Sequence, residues 1–398
     1  MFWYLFILAV VALLALNERG ERRRQGIIAA IILAGFAGLR YETGFDWLEY
    51  EFLYTYAAPL GVINTYLGVG SINVEPGYVL AMGASKTLGL GFQTFIFAIA
   101  IFNFYFLYKT CSRYTKYVAL VLVWYYGFLF ISAQMSTIRQ GLSISFILWG
   151  LLLRDRGRPV LTVLVGLTSI AFHSFSIVFV PFLVVSQRPP GWIAVALACL
   201  PGILLELLGV SVFELVVRLA MPIFGGGLVG DKLSLYGQSS AAELSPLVLV
   251  LVGWHLFFLR CNQIDLRPES ESYLFRVFTS WMAILNIGAH AYVADFPVIW
   301  NRVMLMSFFT EAIVLTMLYR RQLMEPTFRI IMVTAASSGA AVSLVYALSH
   351  SQALAFKPYQ TMAMVWFRGH YGDGRARYEV VRGEIDRAAA ESRSASAQ

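Results

Sequence analysis

Apolar runs of nearly bilayer length recur along almost the whole chain, and they restrict what it can fold into. A helix that spans a membrane needs about 20 mainly apolar residues. Eleven runs reach or approach this length, at residues 2–16, 26–39, 92–108, 118–132, 142–153, 160–185, 192–210, 247–259, 274–289, 298–318 and 330–348. Charged residues make up only 13% of the chain, against about 25% in soluble domains. The pattern predicts an all-α, polytopic integral membrane protein with roughly eleven transmembrane segments.

The remaining residues are divided among loops and a polar tail. We expect a transmembrane helical bundle over residues 1–350, with an external loop at 40–90 and a second loop at 211–246, followed by a partly disordered tail at 351–398. Basic residues follow the first run but do not precede it, which favours a retained helix over a cleaved signal peptide. The net charge of +7 comes mostly from arginines in short loops, so it requires no nucleic acid as a partner.

The sequence offers no pattern typical of a metal or redox site. Cys111, Cys199 and Cys261 are isolated from one another, which excludes a thiolate metal cluster and disfavours a disulfide framework. There is no Asp-x-Asp pair and no cluster of histidines and carboxylates with metal-ligand spacing. We therefore expect no metal and no cofactor.

Basic residues are concentrated after the first, third and fifth runs, and such loops usually face the cytoplasm. They are Arg19, Arg22, Arg23 and Arg24, then Lys109, Arg113 and Lys116, then Arg154, Arg156 and Arg158. The N-terminus and the acidic loop at 40–90 should then lie outside, and Arg139 falls in the next external turn.

The run at 160–185 has two possible topologies. It can fold as a hairpin of two short segments that break near His173, which places Arg302 near the outer face and Arg320 in the cytoplasm. Alternatively it crosses once, which reverses these positions and is favoured by the basic C-terminal tail. We prefer the hairpin, because irregular backbone at membrane depth is tolerated where it lines a cavity.

Four side chains near the ends of apolar runs can converge on one side under the hairpin topology. Arg40 ends the second run, Arg139 opens the fifth, His173 interrupts the sixth and Arg302 opens the tenth. Guanidinium groups bind phosphate oxygens bidentately and stay charged, so three arginines and a histidine would suit a diphosphate without a metal.

Each of these residues also has a purely structural interpretation. Arg40 and Arg302 could be interfacial anchors, because arginine commonly extends its head group towards water at helix ends. His173 could be a hydrogen-bonded packing residue. Arg139 is harder to explain in this way, because it lies between apolar runs with little polar company. Asp46 and Glu75 lie in the predicted external loop, where acidic residues are common, so their presence alone indicates no function.

Short motifs in a fixed order resemble those of the EpsG family of bacterial exopolysaccharide polymerases, which are related in role to the Wzy polymerases. They are GLRYETGFDWLEY at 38–50, EPGY at 75–78, IRQGLS at 138–143, HSFS at 173–176, NR at 301–302 and PY at 358–359. The resemblance covers roughly residues 1–359. It points to Arg40, Asp46, Glu75, Arg139, Gln140, His173 and Arg302, with Tyr359 in the last motif. One motif departs from the family: a loop that often reads close to GTD is Gly44-Phe45-Asp46 here.

The resemblance implies a glycan polymerase at the outer face of the bacterial cytoplasmic membrane. Its substrate would be an undecaprenyl diphosphate-linked oligosaccharide, and its partners would include membrane lipids, a chain-length regulator and export proteins. Arg139 and Arg302 would bind the leaving diphosphate, and either His173 or Asp46 would act as the base. Arg40, Glu75, Gln140 and Tyr359 would contribute to diphosphate or glycan binding.

Two other functions are compatible with the same residues. A flippase for lipid-linked oligosaccharides would need the arginines but no base, and it often shows internal repeats, of which none is clear here. A membrane O-acyltransferase would use His173 as its base, but it has less need of several arginines.

Overall fold

The computed structural model describes residues 1–19, 23–62, 74–212, 214–215, 246–264, 266–294, 296–349, 351–368, 373–383 and 387. Most of the predicted loop at 211–246, Arg22, part of the loop at 40–90 and the last residues of the tail lie outside them. The chain forms two compact units, one made of Met1–Val184 and Thr316–Gln398, the other of Val185–Leu315.

The first unit contains most of the helices. They are α1 (Phe2–Leu16), α2 (Arg24–Gly38), α3 (Trp47–Tyr56), α4 (Pro76–Thr87), α5 (Phe92–Tyr114), α6 (Val118–Phe128), α7 (Ile138–Asp155) and α8 (Pro159–Phe172). Later in the chain follow α13 (Arg320–Met324), α14 (Pro326–Ala347), α15 (Met362–Arg368) and α16 at residues 374–383. Short 3₁₀ segments lie at Leu60–Val62, Ser174–Val178, Val180–Leu183 and Ser351–Phe356, and a π-helical turn at Ile131–Ser136.

The second unit contains α9 (Trp192–Leu207), α10 (Pro246–Gln263), α11 (Tyr273–Tyr292) and most of α12 (Pro297–Leu318). Its apolar core residues include Phe258, Phe278, Ile287 and Phe309, which are fully buried. Gly202 lets α9 approach α11 closely, because a Cβ at this position would lie 2.4 Å from the carbonyl oxygen of Ala291.

The prediction of an all-α membrane protein is confirmed. Three helices, Phe92–Tyr114, Val298–Leu318 and Pro326–Ala347, are long and apolar enough to cross a membrane, and six shorter apolar helices accompany them. In the part of the chain that the structure describes there is no strand, only an isolated β-bridge between Arg40 and Thr361. The number of eleven spans stays a prediction.

Contacts between loops define two ends of the first unit. At one end the Glu18 carboxylate accepts the backbone N–H of Ala119 at 2.9 Å, which joins the end of α1 to the start of α6. There too, Arg329 at the start of α14 donates to the carbonyl of Leu16 at 3.2 Å. We call this the basic end, since it carries Arg19, Arg23, Arg24, Lys109, Arg113, Lys116, Arg154, Arg156, Arg158, Arg320, Arg321 and Arg329.

The run at 160–185 is a hairpin, as preferred from the sequence. Helix α8 leaves the basic end and stops at Phe172, because His173 is extended with φ −156° and ψ 115°. The chain then returns in 3₁₀ conformation, and Arg154 donates to the carbonyl of Phe182 at 3.4 Å. The residues from Ser174 to Leu183 rise by about 2.0 Å each in 3₁₀ conformation, so this segment spans about 20 Å. Helix α8 spans about the same distance, at a rise of about 1.5 Å per residue. The run therefore folds back on itself, as in the hairpin alternative, and its position relative to a membrane stays a prediction.

The C-terminal segment packs on the loop that follows α2, at the end opposite the basic one. The carboxylate of Glu42 accepts the backbone N–H of Gly374 at 3.0 Å, and Arg377 donates to the Glu42 carbonyl at 3.2 Å. Gly374 is required here, because a Cβ would lie 2.3 Å from that same carbonyl oxygen. Gly44 also donates its N–H to the carbonyl of Ala355. The residues after α14 thus form one wall around the loop that precedes α3.

Candidate functional site

Glu75 and Arg139 form an ion pair at the end of the first unit that lies opposite the basic end. The Arg139 Nη1 atom lies 2.5 Å from Glu75 Oε2. The other carboxylate oxygen, Oε1, accepts the backbone N–H of Ser174 at 3.3 Å and lies 3.6 Å from His173 Nδ1. Glu75 therefore links an arginine and a histidine that lie 34 positions apart in the sequence. Arg139 and Glu75 remain partly exposed, whereas His173 is largely buried. We call these three residues the Glu75 cluster.

Three local features position the Glu75 cluster. Glu75 precedes Pro76, which occupies the first turn of α4 and favours a helix start there because its φ is already helical. Gly77 lets α4 approach the end of α8, since a Cβ would lie 2.6 Å from the carbonyl oxygen of Ala171. The extended conformation of His173 ends α8 and brings the backbone of Ser174 to the carboxylate.

The IRQGLS motif has a structural explanation beyond Arg139. Gly141 packs against the π-helical turn, where a Cβ would lie 2.2 Å from the carbonyl oxygen of Ala133. Ser143 accepts a hydrogen bond from Ser176 at 2.8 Å, which ties α7 to the returning arm of the hairpin. Gln140 is buried on the same turn of α7. The motif therefore presents its arginine to the cluster and uses its small residues for close packing.

Helix α3 lies beside the Glu75 cluster. The Arg139 guanidinium carbon lies 5.9 Å from the centroid of the Tyr50 ring, at a distance where a cation–π attraction is expected. Asp46 directly precedes α3, and the charge of Arg139 acts on its carboxyl group. Sequence reasoning did not single out Tyr50, whose position within an aromatic-rich helix gives no distinct signal.

The two carboxyl groups of the site differ in their pKa. Burial raises the pKa of Glu75, but the charge of Arg139, together with hydrogen bonds, outweighs it and leaves the pKa below the ordinary value. Burial raises the pKa of Asp46 to about 7, and the charge of Glu49 adds to this effect while Arg139 opposes it. At neutral pH Glu75 is therefore ionised, whereas Asp46 exchanges its proton readily.

The raised pKa of Asp46 predicts a pH dependence of stability. Between pH about 4 and 7 the folded protein holds a proton that the unfolded chain has released, so stability should fall as the pH rises through this window. In Asp46→Asn this contribution is absent, and the profile should be flatter. The measurement is the difference between the unfolding midpoints at pH 4.5 and pH 7.5, for wild type and for Asp46→Asn. The exposed Glu269→Gln serves as control and should show the wild-type difference. An equal difference in Asp46→Asn and wild type would contradict the prediction.

Arg40 is buried rather than solvated. Arg40 is only 1% exposed, and its Nη1 donates to the carbonyl of Ala37 at 2.6 Å. Its Nε has no hydrogen-bond partner among the residues that the structure describes. The guanidinium lies 5.3 Å from the centroid of the Trp47 ring. Arg40 and Arg139 both act electrostatically on Tyr78, so the two cations approach the same aromatic residue.

The remaining predicted site residues lie elsewhere. Tyr359 donates its hydroxyl proton to the carbonyl of Phe36 at 2.6 Å and stacks on the Phe36 ring with centroids 4.1 Å apart. It therefore holds the C-terminal segment on α2 in this structure. Arg302 belongs to the second unit, in the second turn of α12, and is half-buried. Both stay predictions as functional residues.

Sequence reasoning missed a buried polar network in the second unit. Glu311 on α12 accepts hydrogen bonds from Trp254 Nε1 at 2.9 Å and from His255 Nδ1 at 2.7 Å. Asn286 donates to His255 Nε2 and to Ser307 Oγ, both at 2.8 Å. Because Nε2 accepts, the imidazole proton lies on Nδ1, facing the carboxylate. The available signal was a single Glu and a single His, each inside a long apolar run.

Among the described residues no group of three or more His, Cys, Asp or Glu side chains is placed to hold a metal ion.

A comparison with models of known protein families finds a match, in which the model of the EpsG family covers residues 24–361. The chain belongs to the EpsG family. The match contains the Glu75 cluster, Arg40, Asp46 and Arg302, and it ends before α16. No curated protein and no solved structure matches the chain.

Membership of the EpsG family confirms the resemblance inferred from the ordered motifs. It indicates a membrane protein with an exopolysaccharide polymerase type of function, of the glycosyltransferase class. The EpsG match reaches into both units, so the second unit also lies within the part of the chain that the family model matches.

Proposed function

We propose that this EpsG-family protein is a glycan polymerase that transfers a growing glycan from an undecaprenyl diphosphate carrier to a lipid-linked repeat unit. The observation that carries the proposal is the Glu75 cluster, in which a cation, a carboxylate and an imidazole meet at a partly exposed site. These are the groups needed to bind a leaving diphosphate and to accept a proton from a sugar hydroxyl.

In the proposed reaction an acceptor hydroxyl oxygen attacks the anomeric carbon of the glycan. The bond from this carbon to the diphosphate oxygen breaks, and the diphosphate departs with the electron pair. Arg139 binds the diphosphate and stabilises the charge that develops on it, without help from a metal. Arg302, which the family resemblance assigns to the same reaction, would supply a second cation.

His173 takes the hydroxyl proton in this proposal. Its Nδ1 lies 3.6 Å from Glu75 Oε1, so the ionised carboxylate would stabilise the imidazolium that forms. Asp46 is the alternative base, because its pKa of about 7 matches the working pH of most general bases. Arg40 would add positive potential from its buried position beside Trp47.

The charge distribution supports an outward-facing site. Short loops rich in Lys and Arg usually remain in the cytoplasm, so we assign the basic end of the first unit to the cytoplasmic side. The Glu75 cluster at the opposite end then faces the outside of the bacterial cytoplasmic membrane. This is the side on which flipped lipid-linked repeat units would be available.

The test is to locate the intermediates that accumulate when the protein is inactive. A deletion strain would be complemented with wild type, His173→Ala or Arg302→Ala, with expression checked by immunoblot and glycan length read on gels. We expect single lipid-linked repeat units exposed on the outer leaflet in both variants.

Two outcomes would reject the polymerase assignment. Repeat units held on the cytoplasmic leaflet would identify a flippase, because the block would then precede translocation. Polymer of normal length that lacks acyl groups would identify an acyltransferase. Arg156→Ala, at the cytoplasmic end of α7, should restore normal polymer and serves as the control.

A further inference from the structure

A groove lies between α3 and α16, both in the first unit. It has a volume of about 470 Å³, within the range of about 300–1,000 Å³ typical of small-molecule sites. Its lining combines three aromatic side chains with charged side chains of both signs, among them Phe52, Tyr56, Tyr378, Glu51, Arg375 and Glu379. We call it the α3 groove. One wall, α16, lies beyond the part of the chain that the family model matches.

Specific contacts hold α16, the wall of the α3 groove that the C-terminal segment contributes. Arg375 Nη2 lies 3.0 Å from Glu51 Oε2, across the groove. Arg377, largely buried on the side of α16 that faces the protein, donates to the carbonyls of Glu42 and Leu354. The groove is therefore a built feature, because buried hydrogen bonds fix α16 against the loop before α3.

The chemistry of the lining fits a carbohydrate. Phe52 and Tyr56 are 56% and 60% exposed, with ring centroids 4.5 Å apart, so they present an aromatic platform. A pyranose ring offers an apolar C–H face to such a platform and hydroxyl groups at its edge to carboxylates and guanidinium groups. An anionic lipid head group would instead favour cations alone, whereas this groove also carries Glu51 and Glu379.

The position of the groove relates it to the Glu75 cluster. The buried face of α3 holds Trp47 against Arg40 and Tyr50 against Arg139, and the groove lies along the opposite, exposed face. A helix with its side chains is about 10 Å across, so the groove and the cluster are separated by roughly one helix diameter. A glycan a few sugars long can span this distance.

We propose that the α3 groove binds an oligosaccharide segment of the glycan substrate and holds it while its end reacts at the Glu75 cluster. The proposal rests on the proposed function in naming the glycan as the substrate. Phe52 and Tyr56 on α3 provide the stacking surface, and Tyr378 lines the groove from α16. The C-terminal segment is therefore a functional wall of the enzyme.

Binding can be measured separately from catalysis. The full-length protein in nanodiscs would be titrated with oligosaccharides prepared by partial acid hydrolysis of the host's own exopolysaccharide, using calorimetry. Tyr56→Ala and Tyr378→Ala should each bind about tenfold more weakly than wild type, which corresponds to ~1.4 kcal/mol. Trp366→Ala is the matched control, because this aromatic side chain is exposed in the same C-terminal segment but does not line the groove.

The outcomes separate this inference from the proposed function. Absence of binding by wild type, or equal binding by wild type and both folded tyrosine variants, would overturn it, as would a response only to phosphatidylglycerol in the nanodisc. If a variant elutes as aggregate, Glu379→Ala on the exposed groove wall replaces it. Arg139→Ala should bind the oligosaccharide normally yet make no polymer. Polymer synthesis by that variant would reject the proposed function and leave the binding result intact.

Discussion

Arg139→Ala is expected to abolish polymer synthesis in a purified system. Removal of one group that stabilises developing negative charge commonly lowers turnover about 10²–10³-fold, and here the substitution also leaves the Glu75 carboxylate without its cation. Arg139→Lys should recover only part of the activity, since lysine keeps the charge but cannot bind phosphate bidentately. The assay would supply lipid-linked repeat units to the protein in nanodiscs and resolve products by mass spectrometry.

A double variant distinguishes a functional from a structural role for this ion pair. If Glu75 and Arg139 only stabilise the fold, Arg139→Ala combined with Glu75→Gln should restore both the unfolding midpoint and the turnover, because no unpaired charge remains. We expect the midpoint to recover and the turnover to stay low. Recovery of turnover in the double variant, or a large loss in the control Arg156→Ala at the other end of α7, would contradict a direct role for Arg139.

Glu311→Ala is expected to cause the largest loss of stability. The variant leaves two donors, the part-buried Trp254 Nε1 and the buried His255 Nδ1, without their acceptor. Leaving a buried donor without an acceptor typically costs about 1–3 kcal/mol for each donor. Glu311→Gln should lose less, because its amide oxygen still accepts one bond while its NH₂ group faces the second donor. Thermal unfolding followed by tryptophan fluorescence would measure both effects.

The control for the Glu311 series is Glu325→Ala, an exposed carboxylate just before α14. This substitution should change the unfolding midpoint little, since exposed charges contribute little to stability. An unfolding midpoint of Glu311→Ala equal to that of wild type would show that the network does not stabilise the second unit. The network would then have to be explained by some other role of a carboxylate inside an apolar helix.

The sequence predicted the features that depend on local pattern. Apolar runs predicted the helices, and the polar HSFS motif inside the run at 160–185 predicted the break at His173. Arg139 stood out because a charge between apolar runs needs a reason to be there. These inferences succeed because burial in lipid is costly for every polar group, so each exception is visible in a single sequence.

Features that depend on pairing over long distances could not be predicted in this way. Glu75 attracted attention only as a member of a motif, and nothing local shows that its carboxylate joins Arg139 to His173. The helices α3 and α4 within the predicted loop, and the docking of Arg377 on Glu42, likewise arise from tertiary contacts. A basic tail suggested a cytoplasmic location, whereas the structure uses its arginines to bind backbone carbonyls and carboxylates.

The attachment of Gly374 and Arg377 to the loop after α2 has a consequence for biosynthesis. Glu42 and Gly374, which share a hydrogen bond, are 332 residues apart, so a ribosome adding about 5–20 residues per second needs about 17–66 s to deliver the second partner after the first. Until then the segment carrying Asp46 and α3 lacks one of its walls. We therefore expect a chain that is still being translated, or one that terminates early, to lack the contacts that Gly374 and Arg377 make with the loop before α3.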